Sequence, residues 1–553
     1  MGTVGKDKRK ASMSQNKVLI IGADAAGDIL VEEILKMGLG VIRVCDSPLS
    51  GVAEALTNRG KGSKADQELE IFSPAQLMDL EGYPGQFRAA VRAKGRSFHL
   101  EVGAVVLATG CCSKEPFSSW GLAEASGTVS LLEFVRIMNS GGPAAQGGLI
   151  PSCTALICGF GRPTYPSTQE MAVEAAVSMC SAGAKKVFFV TDHLKVASKG
   201  MERLLGKARD AGVIFIRSSN RQPIIEQSGE GISALFYDDA LGRTVSLSPD
   251  LLVVEDLFMP WEGTGSLADM LRIDLDEAGF FQGENIHYLP IFTNRTGILA
   301  IGSTKGPVPY GQAAEEAKAA ALEIGRLLLG GGIEAAQDRL ELDKKKCALC
   351  LTCYRLCPHR AISYIDRRPV FHGIACSGCG ICAAECPMDA IQINGNGDRH
   401  IKEKIEILHG MDEDDKKDSP SIFIFACRRS AVAAADSSSA SGYHLPARIK
   451  TIEVPCAGRI DPDYLFSAFR KGADGVMVLA CHHGSCKSID GSRMAEARSV
   501  LTGEALREMG IAEERIFFGT LAPAECEGFS RMVDGFERRL RKLSSPETGS
   551  EGS

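Results

Sequence analysis

The sequence predicts an α/β fold in three successive modules, and three observations carry that expectation. Strand-turn-helix segments with glycine-bearing turns recur through residues 17–335; eight cysteines fall in a duplicated run at 347–386; and four strand-like segments follow residue 420, three of them ending in a cysteine. The chain has 553 residues, 44% hydrophobic and 24% charged, enough for three or four ordinary globular cores. Its formal net charge of −7 argues against a nucleic-acid partner, which calls for a basic excess or stripe. Thirteen of the nineteen cysteines lie after residue 346 at ligand-like spacings, not scattered as a disulfide frame, which implies a reducing compartment, with cytoplasm the default. Residues 1–16 read as a flexible polar tail without the apolar stretch of a signal peptide. No run of eighteen apolar residues follows, so a membrane role is expected only through a partner protein.

Residues 17–46 read as strand, tight turn, helix, strand. The turn Gly22-Ala23-Asp24-Ala25-Ala26-Gly27 is a G-x-G-x-x-G frame whose middle glycine has become Asp24, and Asp46 closes the second strand. In a dinucleotide site the first glycine makes the turn, the second admits the diphosphate to the backbone, and the acid holds a ribose hydroxyl. A carboxylate at the second position meets a diphosphate badly. Two later strands, GAVVLATG at 103–110 and GILAIGSTKG at 297–306, end in Thr109-Gly110 and Gly302-Ser303. These are the segments that two-dinucleotide flavoproteins bring back beside FAD. The candidate cofactor-binding residues are therefore Gly22, Asp24, Gly27, Asp46, Thr109, Gly110, Gly302 and Ser303, and the Ala-rich stretch 312–329 is the helix beneath them. Residues 17–150 and 290–335 form this discontinuous FAD-binding-like domain, and 151–289 an inserted NAD-binding-like domain. In the insert the turn from Gly159 to Thr164 lacks a third glycine, and Pro163 and Pro166 crowd the helix start, which argues against a nicotinamide site. Cys111 and Cys112 read as two half-buried thiols, since vicinal cysteines chelate one metal poorly. Cys45, Cys153, Cys158 and Cys180 read as core.

The duplicated run is the most specific signal. Cys347, Cys350, Cys353 and Cys357 followed by Pro358 spell C-x2-C-x2-C-x3-C-P, and Cys376, Cys379, Cys382 and Cys386 followed by Pro387 repeat it 29 residues on. Ala361-Ile362 and Ala390-Ile391 hold the same register, so one unit has been duplicated. This spacing ligates two [4Fe–4S] clusters in crossed fashion, three close cysteines of one copy being completed by the fourth of the other. One ligand set is Cys347, Cys350, Cys353 and Cys386; the other is Cys376, Cys379, Cys382 and Cys357. Residues 340–396 thus form a small α+β ferredoxin domain whose use is to move single electrons. A disulfide frame or a zinc array does not use this triple spacing with a terminal Cys-Pro.

A polar linker is expected over 397–420, with MDEDDKKDSP its clearest part, and a new α/β domain over 421–540 before a short tail at 541–553. Strands are expected at SIFIFAC, RIKTIEVPC, GVMVLACH and RIFFGTLAP, with helices at 463–471 and 493–509. Parallel strands share one C-terminal edge, which gathers Cys427, Cys456 and Cys481, with Cys486 five residues on and Cys526 past the fourth strand. That convergence reads as a metal site, [2Fe–2S] in preference to zinc because a conducting module stands upstream. His482 and His483 read as solvent-facing loop residues, though either could replace a ligand.

Taken together, the paired cysteine runs, GILAIGSTKGP, VPCAGRIDP at 454–462, KGADGVMVLACHHGSC at 471–486 and Cys427 of FIFACRRSA resemble a known fusion. It joins the A subunit of heterodisulfide reductase to the delta subunit of methyl-viologen-reducing hydrogenase, and it is also present in the B subunit of the quinone-interacting membrane-bound oxidoreductase. Family tails carry a second cysteine where this chain has Ser430, and no cysteine-bearing insert is visible in residues 47–100. The resemblance implies one subunit of an oxidoreductase, an iron–sulfur flavoprotein that relays electrons between a donor module and a heterodisulfide reductase-type or quinone-linked complex. Its partners would be other redox subunits such as a hydrogenase or formate dehydrogenase, and no residue is expected to act as acid, base or nucleophile. The alternatives are an autonomous NAD(P)H-dependent ferredoxin or disulfide oxidoreductase, which needs a working nicotinamide site, and a flavin-less scaffold carrying clusters alone.

Overall fold

A computed structural model describes residues 16–46, 69–122, 127–142, 149–160, 165–196, 198–219, 221–228, 231–283, 290–330, 339–410 and 419–544. The terminal tails and most of the stretch 411–420 lie outside these residues, as does the turn from Gly161 to Thr164.

The first strand, Lys17–Ile21, is central to a five-stranded parallel sheet. It lies between Gly40–Val44 and Ala104–Leu107, with Leu69–Phe72 at one edge and Ile298–Ala300 at the other. Every residue of this strand after Lys17 is buried, because successive side chains enter two different cores. Val18 and Ile20 meet the helices Ala25–Lys36 and Tyr310–Leu328. Leu19 and Ile21 face a three-stranded antiparallel sheet, Ala75–Tyr83, Gln86–Ala93 and Arg96–Val102. The helix Ala25–Lys36 buries Ala26, Leu30, Val31 and Ile34, a stripe at helical spacing, and Asp24 caps its start.

The insert builds a second sheet in the order Val213–Arg217, Lys186–Thr191, Cys153–Cys158, Leu251–Val254, Thr128–Ser130, all parallel. The strand Thr128–Ser130 and the helix Leu131–Asn139 pack into this second core, so the insert begins before residue 151. The two halves are tied by an antiparallel ribbon pairing Cys111–Lys114 with Leu257–Pro260.

In the ferredoxin unit, Leu340–Leu342 pairs with Ile391–Ile393 and Ile362–Ile365 with Arg368–Phe371. The duplication reaches the backbone: Leu349 and Leu351 (φ 57° and 60°) stand 29 residues before Gly378 and Gly380 (φ 66° and 86°). The cysteine loop needs left-handed residues, and only the second copy supplies glycine for them.

The last module is a four-stranded parallel sheet in the order Ile449–Val454, Ile422–Cys427, Gly475–Ala480, Ile516–Thr520. Ile422, Ile424 and Ala426 face the helices Ala431–Ala440 and Cys526–Ser544; Phe423, Phe425 and Cys427 face the other side. That other side is covered by the helices Pro462–Arg470 and Asp398–His409. The second of these departs from the linker expected over 397–420: Ile401 and Ile405 are fully buried in the tail core. Each is worth roughly 1.5–3 kcal/mol of transfer free energy. The polar composition of the stretch belongs to the helix's outer face, and its two isoleucines at i and i+4 are the signal that composition hid.

Candidate functional site

The cysteines of the ferredoxin unit surround two cavities. One is bordered by Cys347, Cys350, Cys353 and Cys386, the other by Cys357, Cys376, Cys379 and Cys382. Three of each set come from one copy and the fourth from the other, so the crossed grouping appears in the packing of the chain itself. Backbone amides of Ala361 and Ala390, again 29 residues apart, donate to Cys357 Sγ and Cys386 Sγ at 3.3 Å each. Gly378 N donates to Cys376 Sγ at 3.4 Å. Such bonds stabilise sulfur in its anionic form. Burial works the other way, pushing the Cys357, Cys376 and Cys382 thiols up and that of Cys379 to about 12. Thiolates in this place need a cationic centre to balance them. The eight sulfurs therefore fit iron–sulfur clusters by number, spacing and chemistry.

The tail gathers four more. Cys427 Sγ lies 3.7 Å from Cys481 Sγ, and Cys486 is hydrogen-bonded to Cys481 and Cys456. Those bonds hold the Cys486 thiol far below its ordinary range, the contact with Cys481 lowers Cys427, and Cys456 is pushed up. Gly491 lets the group close, since a β-carbon there would sit 2.6 Å from Cys456 Sγ. Ser430 Oγ, at the place of the missing family cysteine, is buried without a hydrogen-bond partner. Cys526 stands apart at the start of the last helix. His482 bonds Thr520 Oγ1 at 2.9 Å and Glu525 at 3.0 Å; His483 bonds Ser492 Oγ at 3.1 Å and Glu496 at 3.2 Å, so both are occupied as loop residues. Among the described residues, no group of three or more His, Cys, Asp or Glu side chains is arranged to hold a single metal ion.

The ferredoxin unit and tail are bolted together beside the second cavity. Cys379 packs on the tail core, and the Ser488 hydroxyl hydrogen-bonds its sulfur. Gly380 lies against Arg459, which is itself buried and ion-paired with Asp398. Arg498 pairs with Glu385 and donates to Gly458 O and Ile460 O at 2.9 and 2.8 Å. On the opposite side, Arg272 Nη1 donates to Arg355 O at 2.7 Å, and His359 Nδ1 lies 3.0 Å from Asn294 O. The second cavity is thus where all three modules meet.

The expected flavin-binding residues also converge. Gly22, at φ 110°, makes the turn, and a β-carbon there would meet Ala108 O at 2.2 Å. Gly27 keeps the helix close to Ala108 and Arg43. Gly110 N approaches Thr304 Oγ1 at 3.3 Å, and Thr109 Oγ1 lies 3.4 Å from the same hydroxyl. A cavity of about 640 Å³ is bordered by Gly22, Asp46, Thr109 and Trp261. Asp46, expected to hold a ribose, accepts a hydrogen bond from Trp261 Nε1 at 2.8 Å. Asp24 is the departure. Its Oδ1 accepts from Ala25 N and its Oδ2 from Ser303 N, both at 2.9 Å, and a β-carbon at Gly302 would lie 2.1 Å from Oδ2. Burial raises its carboxyl above the usual range, against the pull of those amides. The residues at the diphosphate position therefore do not fit FAD as they stand, although the strand-turn-helix around them has the form expected from the sequence. Sequence reading missed Trp261, Arg43 and Thr304. Arg43 is buried under the first helix, where it pairs with Asp28 and donates to Gly22 O at 3.0 Å. No helix of the described residues is long and apolar enough to cross a membrane.

Comparison with known proteins follows this division. Residues 422–544 match the family described as methyl-viologen-reducing hydrogenase, delta subunit. The iron–sulfur D subunit of the F420-non-reducing hydrogenase of Archaeoglobus profundus is 35% identical over 124 residues, 22% of this chain and 90% of that protein. The A subunit of the ferredoxin:CoB-CoM heterodisulfide reductase of Methanosarcina mazei is 25% identical over 495 residues, 86% of this chain. The chain spans 60% of the length of that relative. Among solved structures, T. acidophilum thioredoxin reductase aligns over 56% of this chain and 98% of its own at 17% identity, with a TM-score of 0.36. The chain belongs, through residues 422–544, to the family of methyl-viologen-reducing hydrogenase delta subunits, joined here to a part that resembles the A subunit of heterodisulfide reductase.

Proposed function

We propose that this chain is the iron–sulfur electron relay of a multi-subunit oxidoreductase. Cys347, Cys350, Cys353 and Cys386 would hold one [4Fe–4S] cluster and Cys357, Cys376, Cys379 and Cys382 a second, while Cys427, Cys456, Cys481 and Cys486 would hold a [2Fe–2S] cluster. When bound, these groups supply reversible one-electron chemistry.

The observation that carries the reading is the junction at Cys379, a member of one thiol set that packs against the core containing Cys456, Cys481 and Cys486. Side chains and backbone amides of the chain do the positioning. Arg498 and Arg459 fix the tail against the loop bearing Cys379 and Cys386, Ser488 donates to the Cys379 sulfur, and amides of Ala361, Gly378 and Ala390 hold sulfurs in their anionic form. The tail set is closed to water, Cys427, Cys456 and Cys486 being at most 5% exposed, which shields a reduced state there from solvent.

The names of the relatives, a hydrogenase component for the tail and a heterodisulfide reductase component for the rest, support a place between two redox modules of a complex. The tail would face a donor such as a hydrogenase or formate dehydrogenase. The other side would face a heterodisulfide reductase-type or quinone-interacting assembly, with membrane contact through that assembly. FAD has no step in this relay, because Asp24 fills the diphosphate position. Redox-titrated EPR of the anaerobically purified chain tests the reading. A tail signal lost in Cys481→Ser while the two cubane-type signals persist would support it, and retention of every signal in that variant would refute it.

A further inference from the structure

In each crevice of the reductase-like half a carboxylate of the chain accepts from described donors at the strand-turn-helix junction. In the first, Asp24 accepts from Ala25 N, the opening amide of the helix Ala25–Lys36, and from Ser303 N, both at 2.9 Å. In the second, Glu255 follows the strand Leu251–Val254 and turns to the start of the helix Pro166–Ser181. Its Oε2 accepts from Gly159 N at 2.8 Å and its Oε1 from the Thr168 hydroxyl at 2.6 Å. The two acids come from different places in their domains, one from the glycine turn and one from a later strand. They reach the same kind of donor, the amides and hydroxyls at a strand-turn-helix junction that otherwise face a ligand's diphosphate.

Space is not what keeps a dinucleotide out. About 640 Å³ lies beside Asp46, Thr109 and Trp261, and about 300 Å³ beside Trp120, Phe160 and Glu255. The obstacle is chemical: a diphosphate and a carboxylate cannot share one set of donors, because like charges at contact repel. We propose that Asp24 and Glu255 are resident anions standing in for the diphosphate, so that a dinucleotide enters either crevice only by displacing a carboxylate from its own hydrogen bonds. The reductase-like half then keeps its shape without a nucleotide, and its first crevice is gated against FAD and its second against nicotinamide dinucleotides. This does not rest on the cluster relay: iron content reports the relay, and nucleotide binding reports the gate.

The two tryptophans of the chain, Trp120 and Trp261, border one crevice each and give each its own fluorescence reporter. Full-length chain, Asp24→Gly, Asp24→Asn and Glu255→Ala are purified anaerobically, matched for iron content and titrated with FAD and with NADH. Glycine is an accepted helix cap and restores the middle glycine of the turn, so Asp24→Gly keeps the fold. Asp24→Asn removes the charge at constant size. The gate predicts at least tenfold tighter FAD binding in Asp24→Gly with NADH binding unchanged, and at least tenfold tighter NADH binding in Glu255→Ala with FAD binding unchanged. It is overturned if the wild-type chain holds about one FAD through purification, or if FAD affinity is unchanged in both Asp24 variants at wild-type iron content.

Discussion

Arg498, on the helix Gly491–Glu508 of the tail, is ion-paired with Glu385, the residue just before Cys386 in the ferredoxin unit. The guanidinium is largely buried and also carries the carbonyls of Gly458 and Ile460, so one side chain spans the tail and the ferredoxin unit.

Replacing Arg498 with alanine leaves a partly buried carboxylate and two carbonyls without their partner, at a cost of about 1–3 kcal/mol. The expected result is a lower Tm for the tail, and slower reduction of the ferredoxin signals when electrons enter at the tail, with iron content unchanged. Stopped-flow absorbance and calorimetry read the two effects separately.

Crossed ligation makes a specific claim about Cys386. Its replacement by serine should alter the centre of Cys347, Cys350 and Cys353, although Cys386 belongs in sequence to the other copy. Cys357→Ser should alter the other centre. EPR of the two variants, with each signal assigned by a third variant at Cys350, decides the grouping.

Gly491 touches the tail site without contributing a sulfur. A β-carbon there would lie 2.6 Å from Cys456 Sγ and 3.4 Å from Cys486 Sγ, so Gly491→Ala should open the four-thiol group. The expected outcome is loss of about two irons per chain with the cubane-type signals intact, since [2Fe–2S] is the centre assigned there. Metal analysis alongside EPR checks it.

His359 makes the ferredoxin junction acid-sensitive. Burial lowers its pKa from 6.5 to about 4, so the folded chain keeps the ring neutral, with its Nδ1 against Asn294 O. A depressed folded pKa means that the unfolded chain takes the proton first as pH falls. The stabilisation is therefore complete above about 6.5 and is lost progressively down to about 4, by about 3 kcal/mol in all. Denaturant midpoints measured from pH 7.5 to 4.5 should fall more steeply in the wild type than in His359→Asn, which keeps a donor and does not titrate.

Much of this was legible in the residues. The four tail strands and their terminal cysteines follow from short β-branched and aromatic runs, and the 29-residue register of the cysteines recurs in the paired left-handed positions that the backbone reveals. What was not legible came from distant chain meeting in space. Trp261 reaches Asp46 from 215 residues away, a contact no local pattern encodes. Arg43 looks like a surface charge within a strand, and only the helix laid over it explains its burial beside Asp28. The helix Asp398–His409 was hidden by its polar outer face, and the antiparallel strands between Ala75 and Val102 by an alternation that composition alone does not reveal. Asp24 was visible as an anomaly in the sequence; its bond to Ser303 N was not.

The most direct test of the relay is the iron and acid-labile sulfide content of the anaerobically purified full-length chain, read together with its EPR spectrum after reduction. About ten irons and ten sulfides per chain, in three distinguishable signals, is the prediction for two [4Fe–4S] clusters and one [2Fe–2S] cluster. About eight irons with no third signal would contradict the tail centre, and about four or fewer would contradict the relay itself.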